Sequence, residues 1–491
     1  MKKTITIFRN FLFIIIFPFI GIGQTQIGSD IIGETANDYS GSFISMSADG
    51  SKVAIGAVFN SDNGDGSGQV RVYQNASGIW TQVGADINGE AIGDISGSSV
   101  SISADGNTVA IGASRNDGNG LDSGHVRVYQ YALGAWTQIG ADIDGEAAGD
   151  SSGSSVSLSA SGNRVAIGAP NNGTTKAGHV RVYQNDAGTW VQLGIDINGE
   201  FRDDGSGESV SISADGNRVA IGARFNDGNG NNSGHVRVYK YEANVWTKVG
   251  ADIDGEAAND LSGASVSLSS DGSIVAIGAA GNDGNGDASG HVRVYKDILG
   301  VWTQVGADIN GEAANDNSGE RVSLSADGTI VTIGAAGNDG NGSNSGHVRV
   351  YKNISGVWTQ IGIDINGEAG LKFGTGISMS SNGTTLASGS PNYNSFAGLV
   401  RVYDFSNLLS NERFSKSGFV VYPNPVSNNL SIENPFSGYL QLQVFNQLGQ
   451  LVLKRNTSSS LLDVSNLSKG FYFLNINAEN GETQTIKFIK N

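Results

Sequence analysis

Short apolar and alternating runs recur along this chain, and none carries the 3.6-residue period of a helix. Residues 96–143 serve as the type copy. Ser99 to Ser103 alternates small polar and β-branched residues, which predicts a strand. Ala104-Asp105-Gly106-Asn107 reads as a hairpin turn, because Asp-Gly and Gly-Asn tolerate the positive φ of tight turns. Thr108 to Ala113 is nearly continuous in apolar or small residues and predicts a strand covered on both faces. After a longer loop, Asn116 to Gly124, valines alternate with Arg127 and Tyr129 in a third strand, His125 to Gln130. A short turn at Ala132 to Gly134 leads to a fourth, Trp136 to Gly140.

This unit is copied. Val-Arg-Val-Tyr ends at Tyr73, Tyr129, Tyr183, Tyr239, Tyr295, Tyr351 and Tyr403, in steps of 56, 54, 56, 56, 56 and 52 residues. All six tryptophans and all five histidines keep the same rhythm. A fixed period means one supersecondary unit repeated. Four antiparallel strands in seven copies predict an all-β fold, a seven-bladed β-propeller, with a β-sandwich array as the alternative. The ends favour the ring. The strand beginning with Trp has six versions, a seventh resembles it only at Gln24-Thr25-Gln26-Ile27-Gly28, and the last copy stops at Tyr403 without a fourth strand. The N-terminal strand is therefore expected to complete the last sheet, closing the ring and hiding an edge.

Charge narrows the partners. Residues 24–410 hold 20 Lys and Arg against 42 Asp and Glu, whereas 411–491 hold 7 against 5. An acidic body repels nucleic acid and anionic membrane. The absence of cysteine excludes disulfides, a thiol nucleophile and a lipidated cysteine. Lys2, Lys3 and Arg9 precede an apolar stretch, Phe11 to Ile20, too short for a span of about 20 residues. With Gly21 and Gly23 it reads as an export signal over residues 1–23, cleaved before Gln24, leaving no membrane span.

The segment 152–170 (SGSSVSLSASGNRVAIGAP), followed by Gly178-His179-Val180-Arg181-Val182-Tyr183, resembles the FG-GAP repeat of integrin-α-like propellers. The resemblance covers about residues 24–405; Gly168-Ala169-Pro170 and Phe373-Gly374 carry its motifs most fully. Calcium-binding members of that family place an aspartate-rich loop between the first two strands. Here that connection is a short turn, ending at Gly50, Gly106, Gly162, Gly216, Gly272, Gly328 and Gly383, and it cannot wrap the six or more oxygens calcium needs. Acidic glycine-rich loops follow the second strand instead. Their Asp62, Asp65, Asp117, Asp227, Asp283, Asp287 and Asp339 are weak calcium candidates, against a reading as solvated turns. No other cofactor is expected.

Repeated polar residues point first to scaffolding. Arg71 and its six equivalents are matched by an Asp-Ile aspartate (Asp30, Asp86, Asp142, Asp196, Asp252, Asp308, Asp364) and a Gly-Glu glutamate (Glu34, Glu90, Glu146, Glu200, Glu256, Glu312, Glu368), which suggests charge-assisted pairs. The histidine position is Gln69 in the first copy and Leu399 in the last, so it reads as packing rather than as a ligand or base. The tryptophans read as buried between sheets, with sugar stacking as the alternative.

The rhythm ends after Tyr403. Residues 406–418 read as a linker, and 419–491 as a small β-sandwich. Tyr422-Pro423-Asn424-Pro425, Asn446-Gln447-Leu448-Gly449-Gln450, Lys469-Gly470-Phe471-Tyr472 and Lys490 closely resemble the type A sorting domain of the Bacteroidetes type IX secretion system. That resemblance implies recognition by the secretion machinery, passage across the outer membrane, and release or attachment at the cell surface. The functional expectation is a non-enzymatic binding or adhesion scaffold for an extracellular protein or glycan. A multivalent lectin using the tryptophans is one alternative. A polysaccharide-acting enzyme in the central channel is another, with broken symmetry sought in copies three and seven.

Overall fold

Each copy folds as its pattern of small, β-branched and turn-forming residues dictates. The computed structural model describes residues 23–410, 419–422, 424–433, 438–447, 449–479 and 483–491. The reading of an export signal at 1–23 falls almost wholly outside them. In the type copy Ser99–Ile102, Thr108–Ala113, His125–Ala132 and Ala135–Gln138 pair antiparallel in that order. A further strand, Ile143–Asp144, pairs with the start of the third, His125 opposite Asp144. Its two residues are too few to show a period, so the sequence reading ran past it. The same plan recurs in seven sheets. The second strand is buried along its whole length, as its apolar run required. At the hairpin, Asp105 accepts from the Ser103 hydroxyl at 2.6 Å and the Asn107 amide at 3.0 Å.

Neighbouring sheets pack face to face. Ala110, Val126, Val128 and Ile143 of one meet Val156, Leu158, Val165 and Ile167 of the next. Ile31, Ala387, Val400 and Val402 of the last sheet meet Ile44, Met46, Val53 and Ile55 of the first in the same way. Gly112 permits the close approach, since a Cβ there would collide with the Gly153 carbonyl. The hairpin turns are also chained by backbone bonds. The amides of Ala48, Ala104, Ala160, Ala214, Ser270, Ala326 and Ser381 each donate to the next turn at 2.8–3.0 Å, and the last donates to Ala48. A second series links the inner strands: the Ser45 hydroxyl accepts from the Ile102 amide at 3.0 Å, and so onward until Ser378 accepts from the Met46 amide at 3.0 Å.

The chain's start lies in the last sheet. Thr25 and Gln26 pair with Asp404 and Tyr403, and Ile31 and Ile32 with Val400 and Leu399. Where the other seams have a tryptophan, this one has Gln24, which donates to the Ile363 carbonyl at 2.7 Å and accepts from its amide at 3.2 Å. Two departures from an all-strand reading occur among the described residues. Tyr393–Phe396 forms one turn, with Asn394 and Ser395 left-handed at φ 47° and 56°. Ser406–Ser410, inside the expected linker, is a short helix whose first turn is capped by Asp404, which accepts from the Ser406 amide at 2.7 Å.

The chain divides into two compact units, Met1–Leu408 and Leu409–Asn491. The second has a three-stranded sheet (Val420–Tyr422, Asn429–Glu433, Leu461–Asp463) and a four-stranded one (Leu440–Asn446, Leu451–Thr457, Gly470–Ala478, Thr483–Lys490). Leu430, Ile432 and Leu462 of the first share a core with Leu442, Val444, Leu474, Ile476 and Phe488 of the second. Asn424 donates to the Lys487 carbonyl at 3.1 Å and accepts from the Ile489 amide at 2.9 Å, so the opening motif clamps the final strand. No helix among the described residues is long and apolar enough to cross a membrane.

Candidate functional site in the shared cavity

The acidic loops use their carboxylates on themselves. Asp117, Asp227, Asp283 and Asp339 accept from backbone amides five residues on, at Asp122, Asn232, Ala288 and Asn344, over 2.6–2.8 Å. Asp62 accepts from Gln69 at 3.0 Å. Such bonds hold a tight loop in shape, as Asx turns do.

The seams between sheets gather the repeated charges. Every arginine of the series meets the glutamate of the connector preceding its sheet, from Arg71–Glu34 at 3.2 Å to Arg181–Glu146 at 3.8 Å. Arg127 also donates to the Asn88 carbonyl at 2.8 Å. The aspartate partner expected for each arginine is realised only at Arg401, which grips Asp30 through Nε and Nη2 at 3.1–3.2 Å. Every aspartate of the series, Asp30 included, accepts from the side chain four residues before it, as Asp142 does from Gln138 at 2.6 Å. All six indoles donate to a carbonyl of the preceding sheet, Trp136 to Val83 at 2.7 Å for example. They tie sheets together, as expected.

The histidines are buried, and each lies with a glutamate and an aspartate, as in Glu90, His125 and Asp142. Burial first, then the adjacent arginine, pulls their pKa down against the raising effect of the carboxylates; His347 falls to about 4. They are neutral imidazoles near pH 7. No local pattern signals this grouping, because the three residues are far apart along the chain.

One cavity, of about 990 Å³, is lined by all seven inner strands, from Phe43 in the first to Ile377 in the last. It lies at the strand ends away from the chained turns, and here the repetition breaks. Glu208 and Glu320 stand where other copies have Ser42, Ser98, Ser154, Ala264 or Thr375, and Arg321 where others have serine, Phe43 or Gly376. Glu208 pairs with Arg224 at 2.7 Å. The Arg224 guanidinium sits 4.6 Å from the Phe225 ring, and that of Arg321 sits 5.5 Å from Phe43. Burial raises the Glu208 pKa, while Arg224 and Arg321 pull it back. Copy three contributes Pro170, Asn171 and Lys176 to the wall from its shortened loop, where broken symmetry was expected, while Glu208, Arg224, Glu320 and Arg321 come from copies four and six and copy seven adds only Gly376 and Ile377. Laying the copies side by side would have exposed Glu208, Glu320 and Arg321 as exceptions.

Residues 420–491 match the secretion system C-terminal sorting domain family. This domain marks proteins exported by type IX secretion, so the protein is directed to the cell surface or extracellular space and engages that machinery. The chain is 36% identical over 69 residues to Beta-agarase D of Zobellia galactanivorans, covering 14% of each protein. That stretch is about as long as the sorting domain, and its size carries no activity to the repeats. A solved structure from Bacteroides uniformis, provisionally assigned as a 6-phosphogluconolactonase, covers 84% of this chain and all of its own at 12% identity and TM-score 0.49.

Proposed function

We propose that the repeats form a seven-bladed β-propeller of the FG-GAP kind, closed by the N-terminal strand, and that the exported protein is a binding scaffold taking an extracellular ligand in the shared cavity. The cavity carries this reading: in a chain of near-copies, four charged residues whose places hold no charge outside copies four and six, Glu208, Arg224, Glu320 and Arg321, stand in its wall beside two phenylalanines. Closure is supported by the turn-to-turn bond returning from Ser381 to Ala48. Ligands of first choice are glycans, since aromatic faces flanked by arginine and carboxylate suit a hydroxylated ring. A glycan array and a pull-down from cell surfaces, run with the wild type and Glu208→Gln/Arg321→Ala, test it. Loss of ligand in the double variant is expected. Retention there, with loss on Trp136→Ala and Trp302→Ala, would place recognition at the outer strands and overturn the cavity reading.

A second reading has one observation behind it. Glu208 is a carboxyl with a raised pKa in a single copy, facing a cavity, as a general acid requires. Release of reducing sugar from polysaccharide, abolished by Glu208→Gln, would establish it. Weak calcium binding by the acidic loops is separately testable: a calcium titration without heat or melting shift removes it.

A further inference from the structure

We propose that the seams holding His125, His179, His291 and His347 each bind a divalent cation of zinc's class between the imidazole, the connector glutamate and the Asp-Ile aspartate. The first seam shows the geometry. His125 Nδ1 lies 3.7 Å from Asp142 Oδ2 and 3.9 Å from Glu90 Oε2. His179 Nδ1 lies 3.8 Å from Glu146 and 3.9 Å from Asp196, and it has no hydrogen-bond partner although its side chain is 1% exposed. These gaps exceed an N–H···O bond. They surround a point that an ion could share. A tetrahedral site with bonds of about 2.0–2.1 Å separates its ligands by about 3.3 Å, so the His125 and His179 nitrogens need approach their carboxylates by only about half an ångström. In the His291 and His347 seams the three ligand atoms lie within 4.8 Å of one another.

The protein supplies its own comparison series. Where the histidine is replaced by Leu399, Arg401 moves between the two carboxylates, at 3.1 Å from Asp30 and 3.2 Å from Glu368. In the seam of His235, Lys248 stands where other copies have Gln138, and its ammonium lies 2.8 Å from Asp252. In both, the Glu–Asp pair has drawn a side-chain cation. In the other histidine seams the arginine stays on the glutamate's far oxygen and a backbone carbonyl, as Arg127 does. The aspartate accepts a neutral amide on Oδ1 and turns Oδ2 to the imidazole. One neutral nitrogen and two carboxylates suit zinc or manganese; calcium prefers six or more oxygens.

The experiment is calorimetric titration of the exported full chain with zinc chloride, with melting followed by tryptophan fluorescence and calcium chloride as control. His→Gln at the four positions is the central variant, because Gln69 fills the same buried place in the first copy. The wild type is expected to bind zinc saturably and melt higher with it, and the fourfold variant to lose at least tenfold in affinity. Lys248→Gln should add one site. Should the fourfold variant not fold, His179→Gln alone must lower the stoichiometry by one. No saturable binding by the wild type, undiminished binding by the variants, or equal heat with calcium would each overturn the proposal.

Discussion

Replacing Asp30 with alanine should cost far more stability than replacing its counterpart Asp142. Asp30 holds Arg401 by three contacts of 3.1–3.2 Å, with side chains only 25% and 15% exposed. Hydrogen bonds between charged groups at such a site contribute about 1.5–3 kcal/mol. Without Asp30 the guanidinium keeps only the exposed Glu368 among its carboxylates. Asp30 also accepts an amide from Gln26 at 2.8 Å, as Asp142 does from Gln138 at 2.6 Å, so that bond cancels and the Arg401 contacts alone separate the two variants. The expected difference is about 2 kcal/mol, roughly thirtyfold in the folding equilibrium. Urea unfolding followed by tryptophan fluorescence, with chelator present, measures it. Trp80 to Trp358 all lie in the repeats, so the tail stays silent. Two variants within about 0.5 kcal/mol of each other would refute the argument that the last seam is clamped by this pair.

Other outcomes follow from the same geometry. Gly222→Ala should destabilise the repeats by about 3 kcal/mol in the same assay, since its Cβ would strike the Gly263 carbonyl, whereas Gly134→Ala, with open space around it, should cost about 1–2 kcal/mol for its φ of 89°. Trp136→Phe should lose about 1 kcal/mol with the bond to Val83. In the hairpin turns, burial alone would raise the pKa of Asp49, Asp105, Asp215, Asp271 and Asp327, but serine and backbone donors outweigh it and leave each below its ordinary 3.8. A folded pKa below the unfolded one means their stabilisation is complete above about pH 4 and is lost as pH falls through the folded values. Unfolding free energies measured from pH 5 to pH 2 should decline, and Asp105→Asn should flatten the slope.

Much of this was legible in the residues. The strands of the type copy lie within a residue or two of their expected bounds, because alternation and Asp-Gly turns are local signals. The pairing of Thr25 and Gln26 with the last sheet followed from one missing strand at one end and one spare at the other. What lay hidden depends on distance between copies. Arginine was expected to find both carboxylates, yet the connector brings only the glutamate and a carbonyl to it, and the fifth strand keeps the aspartate on its own sheet. His125, read as packing from its replacement by Leu399, is packed indeed, but against two carboxylates from elements 35 and 17 residues away. The cavity charges form no local pattern: Glu208 lies just before one inner strand and Arg321 begins another, and only comparison between copies marks them as exceptions.

Nearly interchangeable sheets carry a hazard during folding: any strand could zip onto the wrong neighbour, giving sheets paired out of order or exchange between molecules. The last join differs from every other. Leu399 replaces histidine, Phe373 replaces the serine found at Ser96, Gln24 takes the indole's place, and Arg401 answers Asp30 instead of a carbonyl. The amino end therefore has a single address along the chain, and mistaken docking elsewhere would leave both Asp30 and Arg401 without each other.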